Sequence, residues 1–121
     1  MVTTLDSLAA GKYISLTTYR KDGTAVATPV WLVREGDALL VTTDGESGKA
    51  KRIRNNPAVL VATCDSRGRL KGEQVAATAL IQSADQAART AELVRRRYGL
   101  MGWILTRRRT ATRVGIEIRL G

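Results

Sequence analysis

The sequence predicts a mainly β fold, an antiparallel barrel of about six short strands with two or three short helices at its crossovers. Runs of alternating β-forming residues recur along the chain, short sequences rich in Gly, Asp and Asn separate them, and helical patterns occupy two connections. The 121 residues fit one domain spanning residues 1–121. A domain of this size buries a modest core, so a partner subunit would supply useful further burial.

The first three strands are predicted to follow one another through tight turns. Tyr13–Tyr19 alternates and is rich in β-formers, and Ala25–Val33 follows a Lys-Asp-Gly turn. Pro29 lies inside the second strand and cannot donate to a hydrogen-bond ladder, so it predicts an edge or a bulge. The third strand, Ala38–Thr43, follows a Glu-Gly-Asp turn.

The rest of the chain is predicted to combine helices with three more strands. A short helix covers Gly48–Asn55 and ends before an Asn-Pro pair. Ser83 begins a second helix with a capping-box pattern, this helix extends to about Tyr98, and Leu100–Thr106 adds a further helical turn. The remaining predicted strands are Ala58–Cys64, Gly72–Gln82 and Arg113–Leu120.

The composition excludes several kinds of site. The chain has no histidine and a single cysteine, Cys64, so Ser-His and Cys-His dyads, histidine or thiolate metal sites and an internal disulfide are excluded. Any enzyme here must take its reactivity from a cofactor or a substrate. Because we see no secretory pattern and no apolar run of about 20 residues, we expect a cytoplasmic protein without membrane contact.

The net charge of +9 is concentrated in two segments. Residues 47–72 hold seven bases and one acid, and residues 86–121 hold nine bases and two acids. Such segments attract phosphate, carboxylate or nucleic acid. The alternative is a solvated basic face that binds no ligand.

The most informative stretch is the start of the first long helical pattern. Ser47 is a good N-cap, Gly48 and Lys49 take the first two helical positions, and Lys51 follows them. Cations in a first turn face the positive end of the helix dipole, which is unfavourable unless an anion docks there. Backbone N–H groups, a hydroxyl and a lysine would then converge on a phosphate. The alternative is an exposed amphipathic helix whose apolar residues turn inward.

The pattern Ser47-x-Lys49-Ala50-x-x-Ile53-x-x-Asn56-Pro57 after a strand resembles the pyridoxamine-phosphate-oxidase-like family of split β-barrels. Tyr13–Thr18 and Ala27–Trp31 resemble the first hairpin of that family, and the likeness extends to the final strand. The turn Cys64–Arg69 is similar to the branch that uses coenzyme F420 in place of FMN. The resemblance implies an FMN-binding-type split barrel that works as a homodimer, with the cofactor at the subunit interface.

The resemblance also implies a set of cofactor contacts. In the family the lysine of the motif grips the cofactor phosphate, and the position before it is often arginine in FMN oxidases but is glycine here. Residues that end the third strand contact the cofactor, backbone groups of the second strand bond the pyrimidine edge, and a glutamine opening the fifth strand reaches the ring from the partner. The implied contact residues are Pro29, Val30, Trp31, Thr42, Thr43, Ser47, Gly48, Lys49, Lys51 and Gln74.

Among the cofactors of that family, the basic track favours F420, which carries a phosphate and a tail of glutamates. Lys51, Arg52 and Arg54 would follow the tail through weak, salt-sensitive pairs. The implied activity is F420-dependent hydride transfer to a small electron-poor substrate, with the protein positioning the ring and excluding water. An FMN-using relative is the alternative, and residues for vitamin B6 substrates have no counterpart near the C-terminus.

Two functions of other classes stay open. The barrel would bind a flavin or tetrapyrrole without turnover, or it would bind nucleic acid through Arg95–Arg97 and Arg107–Arg109. A total of only five aromatic residues argues against base stacking. Trp103 and Cys64 are interpreted as packing residues, and Tyr98 as either a proton donor or a core residue.

Overall fold

The computed structural model describes residues 3–107 and 113–121, with only the backbone of residues 100–107. These residues form seven strands and three helices. The strands are β1 (Tyr13–Tyr19), β2 (Ala25–Trp31), β3 (Val33–Glu35), β4 (Ala38–Asp44), β5 (Ala58–Thr63), β6 (Val75–Ile81) and β7 (Arg113–Leu120). The helices are α1 (Leu5–Ala10), α2 (Gly48–Asn55) and α3 (Ala84–Arg107).

All seven strands pair antiparallel in one sheet, in the order β2-β1-β5-β6-β7-β4-β3. Its two edge strands, β2 and β3, are consecutive in the chain, and no ladder joins them within the described residues. The side chains on one face of the sheet form a single hydrophobic core, and the sheet curls around this core. This curled sheet with a gap confirms the predicted mainly β split barrel.

Six strands and two helices contribute to that core. Within each contributing strand, alternate residues point inward, as the two-residue period of a strand requires. The core consists of Leu8, Ile14, Leu16, Val30, Leu32, Leu39, Val41, Ile53, Val59, Val61, Ala77, Ala79, Ile116 and Ile118. A second, smaller cluster under α3 contains Val33, Ala38, Leu40 and Val94.

The predicted second strand is divided at Leu32, which gives seven strands where about six are expected. Leu32 is fully buried, yet its backbone bonds to side chains of α3 instead of a neighbouring strand. Its N–H donates to the Tyr98 hydroxyl at 3.3 Å, and its carbonyl accepts from Arg97 Nη1 at 2.9 Å. The chain therefore leaves the ladder at Leu32 and re-enters it as β3. Pro29 lies on the edge strand β2, as predicted.

The helices differ from the predicted ones in two places. Helix α1 has no counterpart among the predicted elements; Thr4 caps it in a reciprocal box with Ser7, a residue type outside the usual Glu or Gln signature. Helix α3 continues through the predicted further turn but is broken at Gly99, whose φ of 59° and ψ of −133° are non-helical and suit glycine. Helix α2 has the predicted bounds.

In the part of the chain described, no helix is long and apolar enough to cross a membrane.

Candidate functional site

The start of α2 is built as the motif predicts. Ser47 is the N-cap, with an extended backbone and a side-chain oxygen that accepts from the Ala50 N–H at 3.3 Å. Helix geometry leaves the N–H groups of Gly48 and Lys49 without an intrahelical acceptor. The first turn contains no acidic residue. This end of the helix therefore presents donors and positive charge with no carboxylate of its own.

Lys49 is the half-buried cation of this helix start. Its ammonium group makes no hydrogen bond or ion pair with the described residues. Burial lowers its pKa, the neighbouring Arg52 and Arg113 guanidinium groups lower it further, and only Asp44 opposes them. A cation held among cations at a dipole's positive end is electrostatically unfavourable in the free protein. A bound anion would make the environment favourable for the charged form of Lys49.

Arg52, which the sequence predicts as a contact for the coenzyme tail, lies instead across the start of its own helix. Its Nε donates to Thr18 Oγ1 on β1 at 2.6 Å, and Thr18 is fully buried. The guanidinium lies across Gly48, so that a Cβ at position 48 would be 2.6 Å from Arg52 Nη1. Arg52 thus fills the space that a side chain at position 48 would occupy, and it places a second cation beside Lys49. The i to i+4 spacing of Gly48 and Arg52 was the available signal, because it puts these two positions on one helix face.

The other bases of α2 have different roles. Arg54 Nη1 donates to the Gly45 carbonyl at 2.8 Å, which ties the helix to the turn before it. Lys51 is exposed, with its Nζ 3.8 Å from Glu46 Oε2. Of the three residues expected to follow a polyglutamate tail, Arg52 and Arg54 therefore hold the helix in place, and Lys51 extends toward solvent.

Thr42 and Thr43 end β4 but lie on opposite faces of the sheet. Thr43 is buried on the core face, in register with Val114, whereas Thr42 is half-buried on the face toward α3, in register with Gly115. The two hydroxyls cannot converge on one group from the same strand without a change of face. Of the two, Thr43 shares the inner face with Thr18, the residue bonded to Arg52.

The segment Pro29–Trp31 presents its side chains to three different surroundings. Val30 belongs to the core, and Pro29 contacts the turn at Gly68. Trp31 stacks on Tyr98, with ring centroids 4.5 Å apart, and meets Tyr13 edge-on at 6.3 Å. The indole is therefore part of an aromatic row that holds α3 to the sheet. The backbone of β2 lies at a sheet edge, where no strand among the described residues pairs with its outward groups.

Gln74 and Arg97 contact other elements, whereas Arg95 and Arg96 pair within α3. Gln74 precedes β6, and its Nε2 donates to Thr17 Oγ1 at 3.3 Å on the outer face of β1. Arg97 donates to the carbonyls of Leu32, Ala9 and Gly11, while Arg95 and Arg96 pair with Glu92. Arg97 is thus a clamp between α3 and α1, which weakens the case for a nucleic-acid surface at this run.

Cys64 and Tyr98 both have structural roles. Cys64 is buried, as a packing residue should be, and burial raises the pKa of its thiol. Tyr98 bonds to three backbone atoms, of Leu32 and Lys12, which is a structural role. The side chains of Trp103 and Arg107 and all of Arg108–Arg109 lie outside the described residues.

Comparison with known proteins adds the family. A profile described as pyridoxamine 5'-phosphate oxidase matches residues 4–120. No curated protein matches the sequence. Among solved structures, an F420 reductase superposes with a TM-score of 0.64 and 22% identity, over 100% of this chain and 96% of that one.

Two other solved structures share the fold. HutZ, the haem storage protein of Vibrio cholerae, has a TM-score of 0.75 and 13% identity, over 97% of this chain and 87% of its own. A conserved hypothetical protein of Mycobacterium tuberculosis has a TM-score of 0.75 and 21% identity, over 99% and 82%. Likenesses of this degree show the fold alone, whereas the profile spans nearly the whole sequence. The chain therefore belongs to the pyridoxamine 5'-phosphate oxidase family, whose fold binds flavins or related cofactors.

Proposed function

We propose that this protein is an F420-dependent oxidoreductase that holds the coenzyme phosphate at the start of α2 and transfers a hydride to a small electron-poor substrate. The observation that carries the proposal is the half-buried Lys49, whose pKa is lowered by burial and by Arg52 at a helix start without acidic residues. Coenzyme F420, or FMN in the alternative, supplies the redox chemistry when bound.

The donor set fits a phosphate. Lys49 and the Arg52 guanidinium supply charge, and the N–H groups of Gly48 and Lys49 supply directed donors. The Ser47 hydroxyl accepts from Ala50, so its own proton is available to an anionic oxygen. Exposed Lys51 would meet the tail of F420, which FMN lacks. These residues bind and orient the coenzyme.

The ring system would lie along the edge of the sheet. The outward backbone groups of β2 around Pro29–Trp31 pair with no strand of residues 3–107 and 113–121, and they can bond the polar edge of a heterocycle. In a homodimer the Gln74 side chain of one protomer would reach the ring held by the other. Closing the second protomer over the edge strand would exclude water from the reacting atoms.

A homodimer also accounts for an exposed apolar side chain on the outer face of β6. Leu80 is 54% exposed, and Ala76 and Thr78 beside it on β6 are exposed as well. Sedimentation equilibrium should give a dimer for the wild-type protein and a shift toward monomer for Leu80→Glu, with Lys21→Glu as the control on an exposed turn. A wild-type protein that is monomeric at the concentrations used for activity would overturn the dimer.

A tetrapyrrole carrier is the second candidate, because a haem storage protein has the same fold. This chain contains no histidine, which removes the commonest axial ligand for haem iron. The family's flavin-type cofactors need no such ligand. For this reason we place the deazaflavin first.

Fluorescence titration with F420, FMN and riboflavin tests the proposal, because riboflavin lacks the phosphate. Lys49→Ala should weaken binding of F420 by about 1.5–3 kcal/mol, the range for a hydrogen bond to a charged group. Binding of riboflavin should change little. Lys21→Ala, which removes an exposed lysine elsewhere, should leave all three affinities unchanged.

The outcomes separate the candidate functions. Failure of the wild-type protein to bind F420 or FMN would overturn the proposal, and unchanged affinity in Lys49→Ala would remove α2 from the site. Tight F420 binding without oxidation of the reduced coenzyme, across a broad substrate panel, would select the non-catalytic carrier. Binding of a mixed oligonucleotide without coenzyme binding would select the nucleic-acid function.

A further inference from the structure

The last strand brings a basic residue to the start of α2. Arg113 is the first residue of β7 and pairs in register with Asp44, the last residue of β4. The Asp44 carbonyl accepts from the Ser47 N–H at 3.0 Å, so the chain turns directly from Asp44 into the N-cap of α2. Arg113 therefore lies beside the helix start that is proposed to hold the phosphate.

Asp44 and Arg113 act on each other across the two strands. Residues that are paired in register point to the same face of a sheet, with their Cβ atoms about 4.5–5.5 Å apart. Arg113 is half-buried, and burial lowers the pKa of its guanidinium while the Asp44 charge raises it. The Asp44 side chain is itself fixed, because its Oδ1 accepts from the Glu46 N–H at 2.9 Å. A fixed carboxylate therefore holds the guanidinium near the turn into α2.

Lys49 has a guanidinium group on each side. Burial lowers the pKa of Lys49, the Arg52 and Arg113 charges lower it further, and Asp44 raises it. Arg52 approaches from the core side of the sheet, because it bonds to Thr18 on the inner face of β1. Arg113 approaches from the side of α3, because its position on β7 alternates with those of the core residues. Three cations thus face one carboxylate, which leaves an excess of positive charge for an anion.

A phosphate has more anionic oxygens than α2 alone can serve well. Lys49 is a point charge, and Arg52 already commits its Nε to Thr18. A guanidinium presents its donors in a planar fork that binds two phosphate oxygens at once. Arg113 would supply such a fork from the sheet, and it would therefore fix the phosphate relative to the barrel as well as to α2.

We propose that Arg113 binds the coenzyme phosphate together with Lys49, and that Asp44 is the counter-ion that holds Arg113 in place in the free protein. This role rests on the proposed function, which supplies the phosphate. Arg113 and Asp44 then have opposite effects on affinity, because the first attracts the anion and the charge of the second repels it. Both effects are confined to ligands that carry the phosphate.

Fluorescence titration of variants with F420, FMN and riboflavin tests the proposal. Arg113→Gln should weaken binding of F420 and FMN by about 10- to 150-fold, the equivalent of a hydrogen bond to a charged group, and should change riboflavin binding little. Arg113→Lys should recover part of this loss, because it keeps the charge without the planar fork. Arg96→Gln, the same change on the exposed face of α3, should leave all three affinities unchanged.

Asp44→Asn is the variant of opposite sign. It keeps an oxygen for the Glu46 N–H and removes only the charge, so it should tighten binding of F420 and FMN by about 2- to 5-fold. Inorganic phosphate gives a readout without the coenzyme. The amide NMR shift of Gly48 should follow a phosphate titration in the wild-type protein and not in Arg113→Gln, while chloride at equal ionic strength should leave the shift unchanged.

The outcomes separate this role from the proposed function. Wild-type affinity of Arg113→Gln for F420 and FMN, an equal loss for riboflavin, or weaker coenzyme binding in Asp44→Asn would overturn the role of Arg113. If Lys49→Ala still lost affinity in that case, the proposed function would stand. If the wild-type protein bound neither F420 nor FMN, yet phosphate moved the Gly48 amide in an Arg113-dependent way, the coenzyme would be wrong and the anion site would stand.

Discussion

The contact of Arg52 with Thr18 across Gly48 predicts that residues 48 and 52 are energetically coupled. An alanine Cβ at position 48 would lie 2.6 Å from Arg52 Nη1, closer than real Cβ contacts, so the guanidinium must move. Moving it lengthens or breaks the 2.6 Å bond from Arg52 Nε to Thr18, whose hydroxyl is fully buried. A hydrogen bond from a charged donor contributes about 1.5–3 kcal/mol.

The double-mutant cycle isolates this energy. Arg52→Ala loses the bond outright, and in that background Gly48→Ala meets no guanidinium and gains up to about 1 kcal/mol of helix propensity. The double variant should therefore be no less stable than Arg52→Ala alone. The stability losses of the two single variants, added together, should exceed the loss of the double variant by about 1.5–3 kcal/mol.

Urea unfolding of the four proteins, followed by far-ultraviolet circular dichroism at one protein concentration, measures the cycle. The m-values should agree, so that midpoints report stability alone. Losses that add to within about 0.5 kcal/mol would refute the coupling, because independent sites behave in that way. Such additivity would mean that Arg52 does not lie across Gly48 in solution.

Three further predictions concern stability. Lys49→Ala should stabilise the ligand-free protein at neutral pH, because burial lowers the pKa of Lys49 in the folded state. The gain in stability should fade as pH rises through that lowered pKa toward the ordinary value of 10.5. A urea midpoint at pH 7 that is higher for wild type than for the variant would contradict this prediction. Tyr98→Phe should cost about 1–3 kcal/mol, because the buried Leu32 N–H loses its acceptor, whereas Tyr19→Phe should stay within about 0.5 kcal/mol. Burial also raises the pKa of Tyr98, so the stability it confers is complete below pH 10.0 and is lost above it; the same alkaline loss in Tyr98→Phe would show another cause. Gly68→Ala should cost about 1–2 kcal/mol of stability because the φ of Gly68 is +85°. Steric overlap is not the cause, because a Cβ there would lie 3.5 Å from its nearest neighbour, an atom of Pro29. Gly11→Ala, at an extended φ of −91°, is the control, and equal urea midpoints for the two variants would rule out backbone strain.

Local patterns account for most of the predicted fold. The alternation of Arg113–Leu120 and the capped helix Gly48–Asn55 lead to the observed bounds, because each element is specified by its own residues. The break at Leu32 could not be predicted in this way. It depends on Tyr98 and Arg97, more than sixty residues later, whose side chains replace the strand ladder.

The candidate site also combines features that the sequence predicts with features that depend on tertiary contacts. Lys49 and its helix start follow from sequence spacing, whereas the bond from Arg52 to Thr18 joins residues 34 positions apart and needs the folded sheet. The stacking of Trp31 on Tyr98 is also a tertiary contact. The divergence of Thr42 and Thr43 is different, because the two-residue period of a strand already places neighbours on opposite faces.

The place of β7 has a consequence for how the chain assembles during synthesis. Among the described strands, β7 is the last to be synthesised, and its ladders alone join the four strands β2-β1-β5-β6 to the β3–β4 hairpin. Until β7 emerges, no ladder connects these two groups of strands, and each has an open edge that can pair with another molecule. The sheet is thus completed late in synthesis, when its last strand inserts at an interior position.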